Sequence, residues 1–436
     1  MRRRNRYPGA VQEITSPIPQ YLSALLDAVR DEQSGHVADY IPELASADPN
    51  PLGIAMCTVS GRIYSAGDCD VPFTLQSISK PFAYALALQE RGIETVMATV
   101  GMEPSGEAFN ELSLDGKSNL PMNPMINAGA IAVNQLINGE DSTVEDRVEV
   151  IRSLMSDLAG RDLGFNESLC YSELDHADRN LSIAHMLRSY GVIRDTAHDA
   201  VLSYTRQCAI ETTARDLAAM VATLGNGGVQ PITGKRVLDP DVCRLTMAVM
   251  SSAGMYDAAG RWMARVGIPA KSGVSGGLIG TLPGQLGIAT FSPRLDQEGN
   301  SVRGTMLFEK LSQQMGLHLM NPLPVGVHAV RAIEERGEDT VIVLQGMINF
   351  SAAESIIHEI STRDFSAHRL VLDVTRVVQV DGVGKRMLGS TLLRMRRAGY
   401  DIGVYDPEKR LLGLVLSDGT RAPRLKGLKG LKERLR

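Results

Sequence analysis

Ser77 and Lys80 stand three residues apart in the stretch Phe73-Thr74-Leu75-Gln76-Ser77-Ile78-Ser79-Lys80-Pro81-Phe82. A run of apolar and small residues continues to Leu88 and stops at Arg91-Gly92, a common way for a helix to end. Pro81 lacks an N–H and would clash deep inside a helix, so it belongs in the first turn and the helix starts just before it. Ser77 then sits at or near the helix N-terminus, in positive potential, with Lys80 one turn on. Side chains at i and i+3 are neighbours, roughly 5–6 Å apart at Cβ. A serine hydroxyl needs a base to become a nucleophile, and a lysine in a desolvated pocket can supply it. The same spacing also suits a helix-capping serine beside a solvated lysine. Against that, Lys80 is the only charge between Asp70 and Glu90.

A second basic motif, Lys271-Ser272-Gly273, lies within Pro269-Ala270-Lys271-Ser272-Gly273-Val274-Ser275-Gly276-Gly277. Penicillin-recognising enzymes combine Ser-x-x-Lys with a Lys-Thr-Gly tripeptide on an edge strand facing the nucleophile. Here serine keeps the hydroxyl and glycine lets a substrate approach the backbone. The plain alternative is a glycine-rich turn. The Ser-Asp-Asn tripeptide of β-lactamases is absent from the chain. His176, His185 and His198 lack metal-ligand spacing and no H-E-x-x-H occurs, so no metal and no cofactor are expected.

The elements that must position these groups follow in chain order. Of 436 residues, 44% are hydrophobic and 22% charged, the balance of an ordinary globular protein. A net charge of −5 does not suggest nucleic-acid binding. The N-terminal arginines lead into no apolar core, no run approaches the ~20 residues of a membrane helix, and the five cysteines form no C-x-x-C pair. These features predict free thiols and a cytoplasmic protein. Residues 1–20 read as a basic flexible segment. Tyr21, Leu22, Leu25, Leu26 and Val29 mark a first helix, and 53–59 with 62–65 a β-hairpin. Helices and long loops dominate from 95 to 270. Strand signals return after Lys271, and 304–308 precedes a further helix. Strands at both ends with helices between predict an α+β domain over 21–319.

After a linker at 320–328 the pattern alternates: strands at 340–344, 370–374 and 402–405, a helix opened by the capping box Ser351-Ala352-Ala353-Glu354, and a helix from Val383 to Arg397. This predicts a small α/β domain over 329–420. A basic tail, 421–436, carries Leu425, Leu428, Leu431 and Leu435 on one helical side. Such a basic amphipathic segment suits a membrane surface or a partner helix; a frayed tail is the alternative.

The first domain resembles the serine-dependent glutaminases, which have the serine β-lactamase-like fold. The resemblance rests on the stretch Pro72 to Pro81, on Glu103-Pro104-Ser105-Gly106, on Asn123-Pro124-Met125-Ile126-Asn127-Ala128-Gly129-Ala130, on Gly254-Met255-Tyr256-Asp257 and on Pro269 to Val274. It implies hydrolysis of L-glutamine to L-glutamate and ammonia through an acyl-enzyme on Ser77, with Lys80 assisting proton transfer and Tyr256 as partner acid/base. It places the oxyanion hole at the N–H groups of Ser77 and Val274. It places substrate contacts at Tyr40, Ser77, Asn127, Glu173, Asn180, Tyr204, Tyr256 and Val274, with Lys271 in support, and implies a homodimer or homotetramer. A free amino acid presents an ammonium and a carboxylate, which an acceptor such as Glu173 and donors such as Asn and Tyr suit.

The C-terminal domain resembles the STAS domain of sulfate transporters and anti-sigma-factor antagonists, through Leu370-Val371-Leu372-Asp373-Val374 and Val380-Asp381-Gly382-Val383-Gly384. A protein partner is expected to dock there. Gly382 and Val383 replace the serines of the antagonists' Asp-Ser-Ser-Gly loop, so no phosphoserine switch is expected. Two rival readings stand beside this one. One is another serine hydrolase of the penicillin-recognising type. The other is a regulatory STAS protein with an inactive sensor domain.

Overall fold

The computed structural model describes residues 16, 18–106, 110–321, 329–336, 338–363, 365, 368–411 and 414–427. The chain divides into two compact units, Met1–Asn321 and Pro322–Arg436. The expected linker spans this division, but its residues 322–328 lie outside the described residues, as do 1–15 of the N-terminal segment.

In the first unit the hairpin strands Gly53–Thr58 and Ile63–Gly67 join three strands from far along the chain, Ala270–Ser272, Gly277–Leu282 and Leu286–Phe291. All five pair antiparallel, with Gly53–Thr58 between Ile63–Gly67 and Leu286–Phe291, and Ala270–Ser272 on the far edge. Successive strand residues point to opposite faces, and each face has its own core. Ala55 and Cys57 face a core shared with the helices Ser79–Met97 and Ala214–Gly225. Ile54 and Met56 face Leu22, Leu25, Trp262 and Phe308. A third core, built on Ile131, Ile183, Leu187 and Val201, ties together the helices Asn127–Asn134, Asp178–Ser189 and Ala197–Cys208.

Several boundaries differ from expectation. The first helix, Ile18–Asp27, starts earlier than the flexible segment allowed. Residues 304–308 lie inside a helix, Val302–Met315, because Leu307, Phe308 and Leu311 repeat at helical rather than strand spacing. The Ser79–Met97 helix does break at Gly92, whose φ is 74°, but the chain resumes helical geometry as far as Met97. All five cysteines are free and buried.

The second unit has a four-stranded sheet ordered Asp401–Tyr405, Arg369–Val380, Asp339–Ile348, Val330–Arg336. Arg369–Val380 pairs parallel with both neighbours, while Val330–Arg336 closes the edge antiparallel. The parallel connections run through the helices Phe350–Ser361 and Gly382–Arg397, which share one core with the sheet. The first of these is capped by Asn349, whose side chain accepts from the Ala352 N–H, so Ser351 lies within the first turn and not at the cap. The stretch expected to begin the tail is part of this unit. Val404 donates to Pro423 O at 2.8 Å, and Leu425 donates back to Val404 O at 2.9 Å. Leu425 packs beside Val341, Val343 and Val371 rather than opening an amphipathic helix; Leu428, Leu431 and Leu435 lie outside the described residues.

Candidate active site

Ser77 stands in a 3-10 turn, Gln76–Ile78, that runs directly into the Ser79–Met97 helix, with Pro81 in the first helical turn. Gln76 holds a φ of 50°, a region that L-residues seldom occupy and that functional sites tolerate. Tyr256 shares this rare geometry, with a φ of 53°. Its side chain hydrogen-bonds Ser77, and its hydroxyl donates to Ser272 O at 3.3 Å. Burial raises the Tyr256 pKa, against the pull of those two hydrogen bonds. Lys271 Nζ lies 3.9 Å from the centroid of the Tyr256 ring and donates to Ser272 O at 2.8 Å. Burial, and then the charge of Lys80, push the Lys271 pKa well below its ordinary value. Lys271 and Ser272 thus lie on the edge strand Ala270–Ser272, beside the tyrosine that bonds Ser77, and Gly273 follows in the turn.

Lys80 is 1% exposed. Its ammonium donates to Asn127 Oδ1 at 2.7 Å and to Met125 O at 3.2 Å. Burial lowers its pKa to about 7, so near neutral pH about half of Lys80 is an uncharged amine able to take a proton. Asn127 is shared: its Nδ2 donates to Asn180 Oδ1 at 2.9 Å, and its Oδ1 also accepts from Tyr204 Oη at 3.4 Å. Across the site Tyr40 Oη donates to Glu173 Oε1 at 2.9 Å, and Gln76 hydrogen-bonds the same carboxylate. The Tyr40 residue is 49% exposed, but its hydroxyl is the inward end, and burial followed by the Glu173 charge raises its pKa well above the ordinary value. Burial also raises the pKa of Glu173.

Val274 follows the edge strand in the turn before Gly277–Leu282. That turn is clamped to the nucleophile segment: Ser275 Oγ donates to Thr74 O at 2.8 Å, and a Cβ on Gly273 would stand 3.0 Å from Leu75 O. Among the residues singled out from the sequence, contacts link Ser77 with Tyr256 and Lys271, Lys80 with Asn127, Asn180 and Tyr204, and Tyr40 with Glu173, while Val274 lies in the clamped turn. Three groups missed there join them. Gln76 links the nucleophile turn to Glu173. Asn300 accepts from Ser272 Oγ at 2.6 Å, and Cys208 hydrogen-bonds Tyr204 beneath the site. Burial pushes the Cys208 thiol up to about 12, so it stays protonated. Gln76 alone carried a sequence signal, its adjacency to Ser77. Among the described residues no cluster of three or more His, Cys, Asp or Glu side chains could hold a metal.

Gly129 shows how tightly the Asn127 motif is built. A Cβ there would fall 1.9 Å from Asn123 O and 2.7 Å from Asn123 C, both backbone atoms. Gly129→Ala should therefore displace the start of the Asn127–Asn134 helix and withdraw Asn127 from Lys80. A shift of ~1 Å can cost about 100-fold in turnover. We expect a loss of that size in kcat with a lowered Tm, measured by ammonia release and by thermal unfolding.

An antiparallel sheet between helical layers, with serine and lysine at one helix start and a second lysine on the facing edge strand, defines the α+β, β-lactamase-like class. The glutaminase family model matches residues 35–320. The chain is 64% identical to the glutaminase of Corynebacterium glutamicum over 93% of its length and 98% of that protein's. It is 61% identical to the glutaminase of Corynebacterium efficiens, over 94% and 97%. The crystal structure of Mglu in its glutamate form superimposes with a TM-score of 0.85 at 44% identity, covering 91% of this chain and all of that one. The chain belongs to the glutaminase family. The family match ends beside the division at Asn321, whereas the corynebacterial relatives continue through most of the second unit.

Proposed function

We propose that this chain hydrolyses L-glutamine to L-glutamate and ammonia through an acyl-enzyme on Ser77. One observation carries the reading: a serine hydrogen-bonded to Tyr256 stands one turn before a fully buried lysine whose pKa is brought down to about 7. Ser77 Oγ attacks the side-chain amide carbon, and its proton passes to neutral Lys80. The N–H groups of Ser77 and Val274 receive the developing oxyanion, a role that needs two donors aimed at one point. The clamp between Ser275 and Thr74 supports that placement. Tyr256, whose raised pKa keeps its proton at neutral pH, donates to the leaving nitrogen, and ammonia departs. Water then attacks the ester and gives a proton to the Tyr256 oxygen, while the Lys80 ammonium returns its proton to Ser77 Oγ as glutamate is released. Glu173, held by Tyr40 and Gln76, faces the substrate ammonium, and Asn127, Asn180 and Tyr204 orient the amino-acid end.

A coupled ammonia-release assay with glutamine tests the activity directly; no release above background would overturn it. Tyr256→Phe removes the hydroxyl at Ser77 and keeps the ring against Lys271. Loss of one acid/base group costs about 10²–10⁴-fold. The expected result is a drop in kcat within that range with KM little changed. A variant retaining most of its kcat would remove Tyr256 from the proton path.

The STAS reading of the second unit also belongs here. Its two helices alternate with parallel strands, and Asp381 caps Gly382–Arg397 by accepting from the Gly384 N–H at 2.6 Å. That capped loop is where the resemblance places the antagonists' phosphoacceptor, which Gly382 and Val383 replace. A protein partner for this domain and a homodimeric or homotetrameric assembly are part of the same proposal. Light scattering on the purified protein measures the second. No described helix is long and apolar enough to cross a membrane. Five free buried thiols support a reducing, cytoplasmic setting.

A further inference from the structure

The second unit holds a cavity of about 540 Å³ between the helices Phe350–Ser361 and Gly382–Arg397. Small-molecule pockets typically measure ~300–1,000 Å³. The glutamine chemistry described above does not use it. Its floor is apolar, with Ile357 and Ile360 from one helix, Met387 and Met395 from the other, and Leu370 from the sheet. Phe365 and Tyr400 meet edge to face at one end, their ring centroids 6.3 Å apart.

The rim is basic. Arg386, Ser390 and Arg394 recur every fourth residue along Gly382–Arg397, so they form one row, and Arg363 stands opposite. Arg363 pairs with Glu359 at 3.0 Å. Among the described residues the Arg386 and Arg394 side chains have no ion-pair or hydrogen-bond partner, and no described acidic residue lines the cavity. An apolar floor beneath unpaired guanidinium groups matches a molecule with an apolar body and a single anionic end. The chain's own C-terminal tail does not match, because Lys429, Lys432, Arg434 and Arg436 would meet like charge.

We propose that this cavity binds an aliphatic carboxylate, its chain lying between the two helices and its carboxylate held by Arg386 and Arg394. The guanidinium fork suits a carboxylate, and the buried chain supplies the affinity. This site is independent of the glutaminase reaction and of the STAS reading.

Isothermal titration of the full chain with sodium octanoate, decanoate and dodecanoate tests it. One site per chain is expected, with affinity rising about fourfold per added methylene. Arg386→Gln combined with Arg394→Gln should weaken dodecanoate at least ~10-fold, since a hydrogen bond to a charged group is worth about that factor or more. Thr391→Trp, placed to fill the cavity, should abolish binding while leaving glutamine hydrolysis unchanged. The arginines are exposed, so the double variant keeps the test valid where the tryptophan variant fails to fold. Four results would overturn the proposal. These are no saturable heat with dodecanoate, unchanged affinity in the arginine variant, equal binding of dodecan-1-ol, and self-association that Thr391→Trp abolishes, which would make a second copy the occupant.

Discussion

Ser77→Ala leaves a folded protein that releases no ammonia from glutamine. Removing the nucleophile of a covalent mechanism costs roughly 10⁴-fold or more in turnover, because the remaining groups act as a unit with it. The fold survives because the side chain is small and the turn around it is held by others: Ile78 N–H donates to Leu75 O, and Ser79 Oγ donates to Gln76 O at 2.7 Å. Ser79 is the control. It is fully buried, accepts from Gln207 Nε2 at 3.0 Å and faces Cys208. Ser79→Ala leaves Gln207 without that acceptor, at a cost of about 1–3 kcal/mol in stability, yet its folded fraction should turn over within ~10-fold of wild type. Active Ser77→Ala beside inactive Ser79→Ala would identify the wrong serine.

Lys80→Met should be inactive and, below pH 7, more stable than wild type. Unfolded Lys80 titrates near its ordinary 10.5, and folded Lys80 near about 7. Between those values the folded state binds fewer protons than the unfolded state, so wild-type stability rises with pH across that window. Below it the buried ammonium carries its full penalty, on the order of 5 kcal/mol as an upper bound, which methionine removes. Asn127 Oδ1 keeps its bond from Tyr204. The gain in Tm should therefore be largest near pH 6 and fade towards pH 10. Equal or lower stability at pH 6 would mean that Lys80 is not desolvated as described. The same titration shapes catalysis: kcat/KM rises with pH through about 7 as the amine loses its proton. Lys80→Arg, which keeps a charge that cannot be lost, should be inactive across the whole range.

The spacing of Ser77, Lys80 and Pro81 was enough to read a nucleophile and base at a helix start, because those constraints are local. The partner that orients Lys80 was legible only through the resemblance of its motif, since Asn127 lies 47 residues away and meets Lys80 through tertiary packing. Gln76 escapes a sequence reading because its adjacency to Ser77 does not reveal a hydrogen bond to the distant Glu173, and its positive φ is a property of the folded backbone. In the second unit the edge strand Val330–Arg336 was missed. It is half-buried with no clean alternation, so period-two reading finds nothing. The buried strands Asp339–Ile348 and Arg369–Val380 are legible from their apolar runs, though shorter than they are.

The claim that both half-reactions share one acyl-enzyme is tested most directly by partitioning with hydroxylamine. Glutamine and the γ-methyl ester of glutamate differ in their leaving groups but would give the same ester on Ser77. Water and hydroxylamine then compete for that one intermediate. The account predicts an identical ratio of glutamate to γ-glutamyl hydroxamate from the two donors at a fixed hydroxylamine concentration. A ratio that changes with the leaving group would contradict it.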